Sequence, residues 1–398
     1  MDKVKVIMIG LGSRGSSMLF HVARMDNYDV IAVCDTYEDR AREQAGYVRD
    51  HYHYPIKALT DWREALELKP DAVLITTGWE GHFEIAFEAM KRGIAVGCEV
   101  GGAYSIDECF ELVEMQHKTR TPYMLLENCC YGEYEMLVMN MVKLGLFGDI
   151  VACEGGYHHD IRTEILFGNK NRHYRLHNYL TRNCENYPTH ELGPIAQVLD
   201  INRSNYFTKL TSFTSGSLGL NDYARLHDDV DPEFRDAKFV QGDIIKTVIE
   251  CSGGQLITLT LDTCLPRPYS RGFTVRGTRG MYSENENYIF LDTDHTEHDA
   301  MHWNEHWNNA EKYLEKYEHP LWKAYKNDGV RGGHGGMDYL VYHDFAQCLI
   351  DGRPMPISVE DAAAWMAVTP LSEQSLKTGS TVEFPNFCRQ AAGAELRP

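Results

Sequence analysis

The stretch VKVIMIGLGSRGSSMLFHVARM, residues 4–25, opens as a short apolar run and closes as a helix-like one, with three glycines spaced GxGxxG between them. Val4 to Ile9 suits a fully buried strand. Gly10 permits the tight turn, Gly12 lets backbone N–H groups approach a diphosphate, and Gly15 lets the next helix pack closely, its positive end towards the phosphates. Ser13 and Arg14 complete that turn. A second apolar run, Val30 to Cys34, ends at Asp35, whose carboxylate stands where a ribose hydroxyl is bound. Asp35 would also repel a 2′-phosphate, so NAD is favoured over NADP, a preference that Arg40 and Arg42 weaken.

The alternation continues with strands at 72–76, 94–97 and 123–126 and helices at 80–91 and 106–118, which predicts a doubly wound parallel sheet. Ligand-binding loops belong at the carboxyl ends of such strands. Three stretches stand there: TTGWEGH (76–82), CEVGG (98–102) and ENCCY (127–131). For Trp79 and His82 a packed indole and a helix cap are equally good readings. Glu99, a carboxylate among glycines, has a weaker structural alternative.

After LGLFGDI (144–150) the pattern changes to strands joined by turns and long connections, at 151–157, 210–214, 244–251, 255–262 and 273–276. TVIECSGGQLITLTLD alternates about a glycine turn, so the second domain is expected to hold an open antiparallel sheet. A helix is expected over 356–379 despite Pro370. The glycine-dense GGHGGMD (332–338) precedes another over about 339–350 and reads either as a ligand loop or as a connection.

Lys and Arg total 39 against 58 Asp and Glu, a formal charge of −19, so nucleic acid or an anionic membrane is excluded as a partner. The 11 cysteines have no regular spacing and read as reduced thiols. Met1 runs directly into an apolar strand without a basic leader, and no run approaches the roughly 20 apolar residues of a membrane span. A soluble, cytoplasmic protein is expected. His295, His298, His302 and His306 could share a helical face, but with acids and amides around them and no zinc motif, a solvated helix is the better reading and no metal is expected. YHHD (157–160) carries two histidines that alternate faces if it is a strand.

Taken together, the glycine turn with Asp35, TTGWEGH, LENCCYGEYE, YHHDIR, NYPTHELGP, PRPYSRG and GGHGGMD resemble the Gfo/Idh/MocA oxidoreductase superfamily. Within it they resemble glycoside hydrolase family 109, the NAD-dependent α-N-acetylgalactosaminidases. The resemblance implies an α/β chain: a Rossmann domain over residues 1–127, then an α+β domain with an open, mainly antiparallel sheet over 128–398, its C-terminal helix packing back. The second domain would bind substrate and form a homo-oligomer. NAD would be held tightly and regenerated each turnover.

Carried over by position, the resemblance implies Ser13, Arg14, Asp35, Trp79, Glu80, Gly81, His82, Glu99, Val100 and Asn128 as NAD contacts, beside Gly10, Gly12 and Gly15. Tyr187 would touch NAD and sugar. Tyr157, Arg175, Tyr187, Pro188, Thr189, His190 and Tyr269 would bind a small glycoside, with Arg182 a competitor for the place of Arg175. The chain departs from the family at Glu191, where relatives usually carry glycine, a carboxylate able to alter His190 or meet a substrate hydroxyl.

NAD-dependent glycosidases stand outside the two-carboxylate scheme of most glycosidases. The implied reaction oxidises sugar C3, removes the acidified C2 proton, expels the aglycone from C1, adds water and returns the hydride. His190 suits the proton transfers because an ordinary imidazole titrates near neutrality (about 6.5), and Tyr187 and Tyr157 are candidates to share them. A plain sugar dehydrogenase is the rival reading; the lysine of a Glu-Lys-Pro turn usual in such enzymes is absent from Glu99-Val100-Gly101.

Overall fold

The structure is a computed structural model that describes residues 2–53, 55–293 and 301–388. The chain forms two compact units. The first comprises Met1–Asn128 and Val330–Ala363, with Phe387 and Cys388; the second comprises Cys129–Gly329 and Ala364–Asn386. One cut after residue 127 therefore does not describe the units, because a distant segment returns to the first. The reason lies in the helix Met337–Asp351, which buries Leu340, Val341, Phe345 and Ala346. Tyr28 Oη donates to the Tyr342 carbonyl at 2.6 Å, tying that helix to the second strand.

In unit one, β1 (Val4–Ile9), β2 (Tyr28–Cys34), β3 (Lys57–Leu59), β4 (Ala72–Ile75), β5 (Ala95–Cys98) and β6 (Tyr123–Leu125) form one sheet in the order 3-2-1-4-5-6. Every pairing is parallel. All four residues of β4 and of β5 are buried, as expected of central strands covered on both faces. The order reverses between β1 and β4, which places a crevice at their carboxyl ends.

Unit two holds β7 (Ile150–His158), β8 (Phe207–Thr214), β9 (Ile244–Cys251), β10 (Leu256–Asp262), β11 (Thr274–Gly277), β12 (Gly280–Ser283), β13 (Tyr288–Leu291) and β14 (Val382–Glu383). They run in the order 13-12-11-7-10-9-8-14. The sheet is mainly antiparallel, as expected, but β7 and β10 pair in parallel. The expected glycine turn joins β9 to β10, with Gly254 at φ +87°. The helix Thr189–Val198 packs on β7 at Gly155, where a Cβ would stand 2.9 Å from the Glu191 carbonyl. The single helix expected over 356–379 is two, Val359–Met366 and Val368–Thr378. Pro370 falls in the first turn of the second, where its missing N–H leaves no helical bond unmade.

All 11 cysteines are free thiols. Among the described residues no helix is long and apolar enough to cross a membrane.

Candidate active site

The glycine turn is shaped by contacts that a side chain would occupy. A Cβ on Gly10, at φ +98°, would lie 2.5 Å from the Thr77 amide nitrogen, and one on Gly15 would lie 2.0 Å from the Gly10 carbonyl oxygen. At Gly12 the nearest atom to such a Cβ is Arg40 Nη1 at 3.9 Å, so the position is open. That opening faces the start of the helix Ser13–Val22, whose first N–H groups have no intrahelical acceptor. Asp35 accepts from the Leu11 N–H at 2.7 Å and from the Tyr37 N–H at 2.8 Å. Two amide bonds leave a carboxylate about two further lone-pair directions for ribose hydroxyls. Open backbone, positive helix end and oriented acid fit a dinucleotide.

Beside the turn, Arg14 donates through Nε to Glu99 Oε1 at 2.9 Å and pairs through Nη2 with Asp338 Oδ1 at 3.0 Å. Tyr342 Oη donates to the same Glu99 oxygen at 2.9 Å. Asn128 Nδ2 donates to Asp338 Oδ1 at 2.8 Å, and His334 Nδ1 lies 2.7 Å from Asp338 Oδ2. Burial opposes a charge on Asp338, yet the bonds from His334 and Arg14 hold its carboxyl well below the usual range. Val100 N donates to Glu99 Oε2 at 3.4 Å. Trp79 is buried against Gly101, where a Cβ would strike its ring at 2.4 Å. His82 is buried too, and its Nε2 donates to the Thr77 carbonyl at 3.1 Å. Burial lowers the imidazole to about 4, so it is neutral. Gly81 stands against Thr77 and Glu80 against Tyr104, both at the head of the same helix. The carboxyl ends of β4 and β5 thus carry the side chains expected of them. Asp338, at the end of GGHGGMD, and Tyr342 are additions; that stretch reads equally as a ligand loop or a connection, and nothing in it shows that its helix would return to β1.

In unit two, Tyr157 is the penultimate residue of β7 while Tyr187 and His190 flank the start of the helix Thr189–Val198. Pro188 is the cap and Thr189 is fully buried, which sets Tyr187 and His190 one turn apart. The Tyr187 and His190 ring centroids are 4.8 Å apart at 84°, and those of Tyr157 and His190 are 5.7 Å apart at 73°. The two tyrosines stand 4.3 Å apart. The Arg175 guanidinium lies 4.7 Å over the Tyr187 ring, with Nε 2.5 Å from Glu164 Oε1. Arg182, its competitor in the sequence, is instead 2.7 Å from Glu373. Burial raises the Tyr157 phenol to about 12, so it is a proton donor at neutral pH.

His159 joins this cluster. Its Nδ1 lies 3.1 Å from Tyr157 Oη, and its ring meets that of Tyr269 at 5.1 Å. β7 stops at His158, yet His159, two residues beyond Tyr157, stays on the side of Tyr157 as strand alternation requires. Burial lowers the His159 imidazole, which makes it a neutral acceptor for the phenol. Tyr269 remains 45% exposed, at the edge of the group. Of the four spaced histidines, His295 and His298 lie outside the described residues; His306 packs edge-on against Phe290.

Residues 131–392 match the family described as "Glycosyl hydrolase 109, C-terminal domain". The chain belongs to glycoside hydrolase family 109. Residues 4–126 match "Oxidoreductase family, NAD-binding Rossmann fold", so the first unit of this family 109 chain contains an NAD-binding Rossmann domain. A glycosyl hydrolase family 109 protein of Stenotrophomonas maltophilia is 38% identical over 97% of this chain and 89% of its own. An α-N-acetylgalactosaminidase of Tannerella forsythia is 33% identical over 96% and 85%. Among solved structures, an NAD binding oxidoreductase from Klebsiella pneumoniae superposes with a TM-score of 0.69 at 15% identity, over 96% of this chain and 99% of that one. A scyllo-inositol dehydrogenase from Lactobacillus casei gives 0.63 at 11%, with the same coverage. At such identities these structures establish the fold alone.

Proposed function

We propose that this family 109 enzyme cleaves small glycosides, N-acetylgalactosaminides foremost, by oxidation and elimination on tightly held, recycled NAD. The observation that carries the reading is the ring cluster of Tyr157 and Tyr187, with His190 edge-on to both, beside the buried Arg175, on a chain that also builds an open glycine cradle with Asp35. Two relatives bear the name α-N-acetylgalactosaminidase, which supports the choice of sugar.

Gly10, Gly12, Ser13, Arg14, Gly15, Asp35, the stretch 79–82, Glu99, Val100 and Asn128 would hold NAD. Bound NAD supplies reversible removal of the C3 hydride, which acidifies C2–H and lets the C1 aglycone leave. The other work falls to side chains. His190 takes the C2 proton and returns one. Tyr157, kept protonated by burial, turns its single O–H from His159 to the sugar 3-oxygen when substrate binds; Tyr187 shares in holding it. Arg175, set by Glu164, orients the sugar through hydroxyl or acetamido oxygens, with Pro188, Thr189 and Tyr269 shaping the pocket.

The test is nitrophenyl α-N-acetylgalactosaminide given to purified protein with no added NAD. Nitrophenol release without accumulating NADH is the expected result. A sugar dehydrogenase would release no nitrophenol and would form NADH in step with added NAD.

A further inference from the structure

PRPYSRG, residues 266–272, joins β10 to β11 and carries Tyr269, whose ring is 45% exposed. A half-exposed ring on a connecting segment keeps one orientation only where the segment itself is held. Here it is held on both sides of the tyrosine. Arg267 Nη1 donates to Asp262 Oδ2 at 2.6 Å, which ties the segment to the end of β10. The Ser270 N–H donates to the His158 carbonyl at 3.0 Å, and the Ser270 carbonyl accepts from the His158 N–H at 3.2 Å. The Arg271 carbonyl accepts from the Gly156 N–H of β7 at 2.5 Å. Glu284 then takes the Arg271 N–H at 3.2 Å on one oxygen and the Phe273 N–H at 2.8 Å on the other.

The Arg271 side chain is fixed as firmly as its backbone. Its Nε and Nη2 lie 2.6 and 2.5 Å from Glu135 Oε1, in a pair whose side chains are only 16% and 5% exposed. Glu135 belongs to the first turn of the helix Glu133–Lys143 and packs against Gly132, where a Cβ would fall 2.0 Å from Glu135 Oε2. A buried pair of this kind adds little stability over apolar residues of similar size, so stability alone does not account for it. What it does fix is the place of the guanidinium, whose carbon stands 6.0 Å over the centre of the Tyr269 ring, the outer limit of a cation–π contact. The same ring meets His159 at 5.1 Å and 84°.

We propose that Arg271, gripped by Glu135, is a positioning residue that sets the Tyr269 ring for the sugar, acting through that ring and not on the substrate itself. The role rests on the reading of Tyr269 as a sugar contact. Arginine suits it because a planar fork can engage one acid through Nε and Nη2 while its face covers an aromatic ring. A lysine ammonium keeps the charge and loses that double engagement.

The test is a cycle of variants with nitrophenyl α-N-acetylgalactosaminide as the probe. Arg271→Lys should raise KM by about tenfold, well beyond any fall in kcat, as when binding common to ground and transition states is lost. In a Tyr269→Ala background the same substitution should add nothing to KM, because the ring it acts through is gone. A purely structural Arg271 would cost as much again without that ring; such additivity, or a loss confined to kcat, would overturn the proposal. If Arg271→Lys does not fold, Arg271→Met/Glu135→Met removes both buried charges together and carries the same expectation. The ring is read directly by NMR of protein labelled with 13C at tyrosine Cζ, the Tyr269 line being assigned through its loss in Tyr269→Phe. Arg271→Lys should displace that line, and an unmoved line would overturn the positioning role. Wild-type protein that releases no nitrophenol would sink the glycosidase reading and leave the NMR result standing.

Discussion

Arg14 reaches Glu99 and Asp338 with one guanidinium, and Asp338 is also met by Asn128 and His334. Planar Arg geometry suits such a double engagement, and Lys would not replace it. Asp338→Asn should weaken NAD binding, measured by titration of cofactor-free protein, by roughly tenfold, the scale of about one charged hydrogen bond. Because the folded carboxyl of Asp338 is held below its ordinary value of 3.8, its contribution is present above that pH and is lost as pH falls below it. The Tm gap between wild type and Asp338→Asn should shrink in that acid window. A gap constant with pH would contradict the ionised Asp338. At the other cluster, His190→Ala should cost about 10²–10⁴-fold in kcat with NAD content unchanged, the usual worth of a general base. Tyr187, His190 and Arg175 were expected from the family resemblance of their motifs, and His159 and Asp338 lie within YHHD and GGHGGMD, whereas Glu164 and Tyr342 carried no signal. A residue on a helix that returns from a distant segment of the chain leaves no local periodic mark.

Elements separate folding from binding. Gly15→Ala would press a methyl onto the Gly10 carbonyl and should destabilise the turn itself. Gly12→Ala has room, with only Arg40 Nη1 at 3.9 Å, and should fold normally while losing NAD because the methyl occupies the cradle. Tm and retained NAD, measured together, should part at Gly12 and fall together at Gly15. The helix Thr189–Val198 offers a second test. The folded carboxyl of Glu191 is raised from 4.5 to about 8, so stability falls as pH rises through that interval. The Tm advantage of Glu191→Gln should grow from pH 4.5 towards pH 8 and then level off. The apolar runs and glycine turns made β1, β2, β4, β5 and β6 readable, along with the β9–β10 hairpin. The short β3, β12, β13 and β14, of two to four residues, carry too few positions for alternation to register.

At the scale of the molecule, each unit is discontinuous in sequence, and the first is completed by residues 330–363. Phe345 is fully buried and would touch a Cβ on Gly97 of β5 at 3.2 Å, so this segment is part of the first core. Residues 1–128 expressed alone should therefore lack a cooperative thermal transition. Two domains, the doubly wound sheet and the mainly antiparallel one could be read from pattern, whereas the returning segment could not, because connectivity between distant segments has no local signature.

The central claim, glycoside cleavage through oxidation and elimination, is tested most directly in D2O. Purified protein is given nitrophenyl α-N-acetylgalactosaminide with no added NAD, and the released sugar is examined for deuterium at C2. Release with deuterium at C2 is the expected result, because a base that exchanges with solvent removes and restores that proton during each turnover. Released sugar that keeps only hydrogen at C2 would contradict it and point to direct displacement at C1.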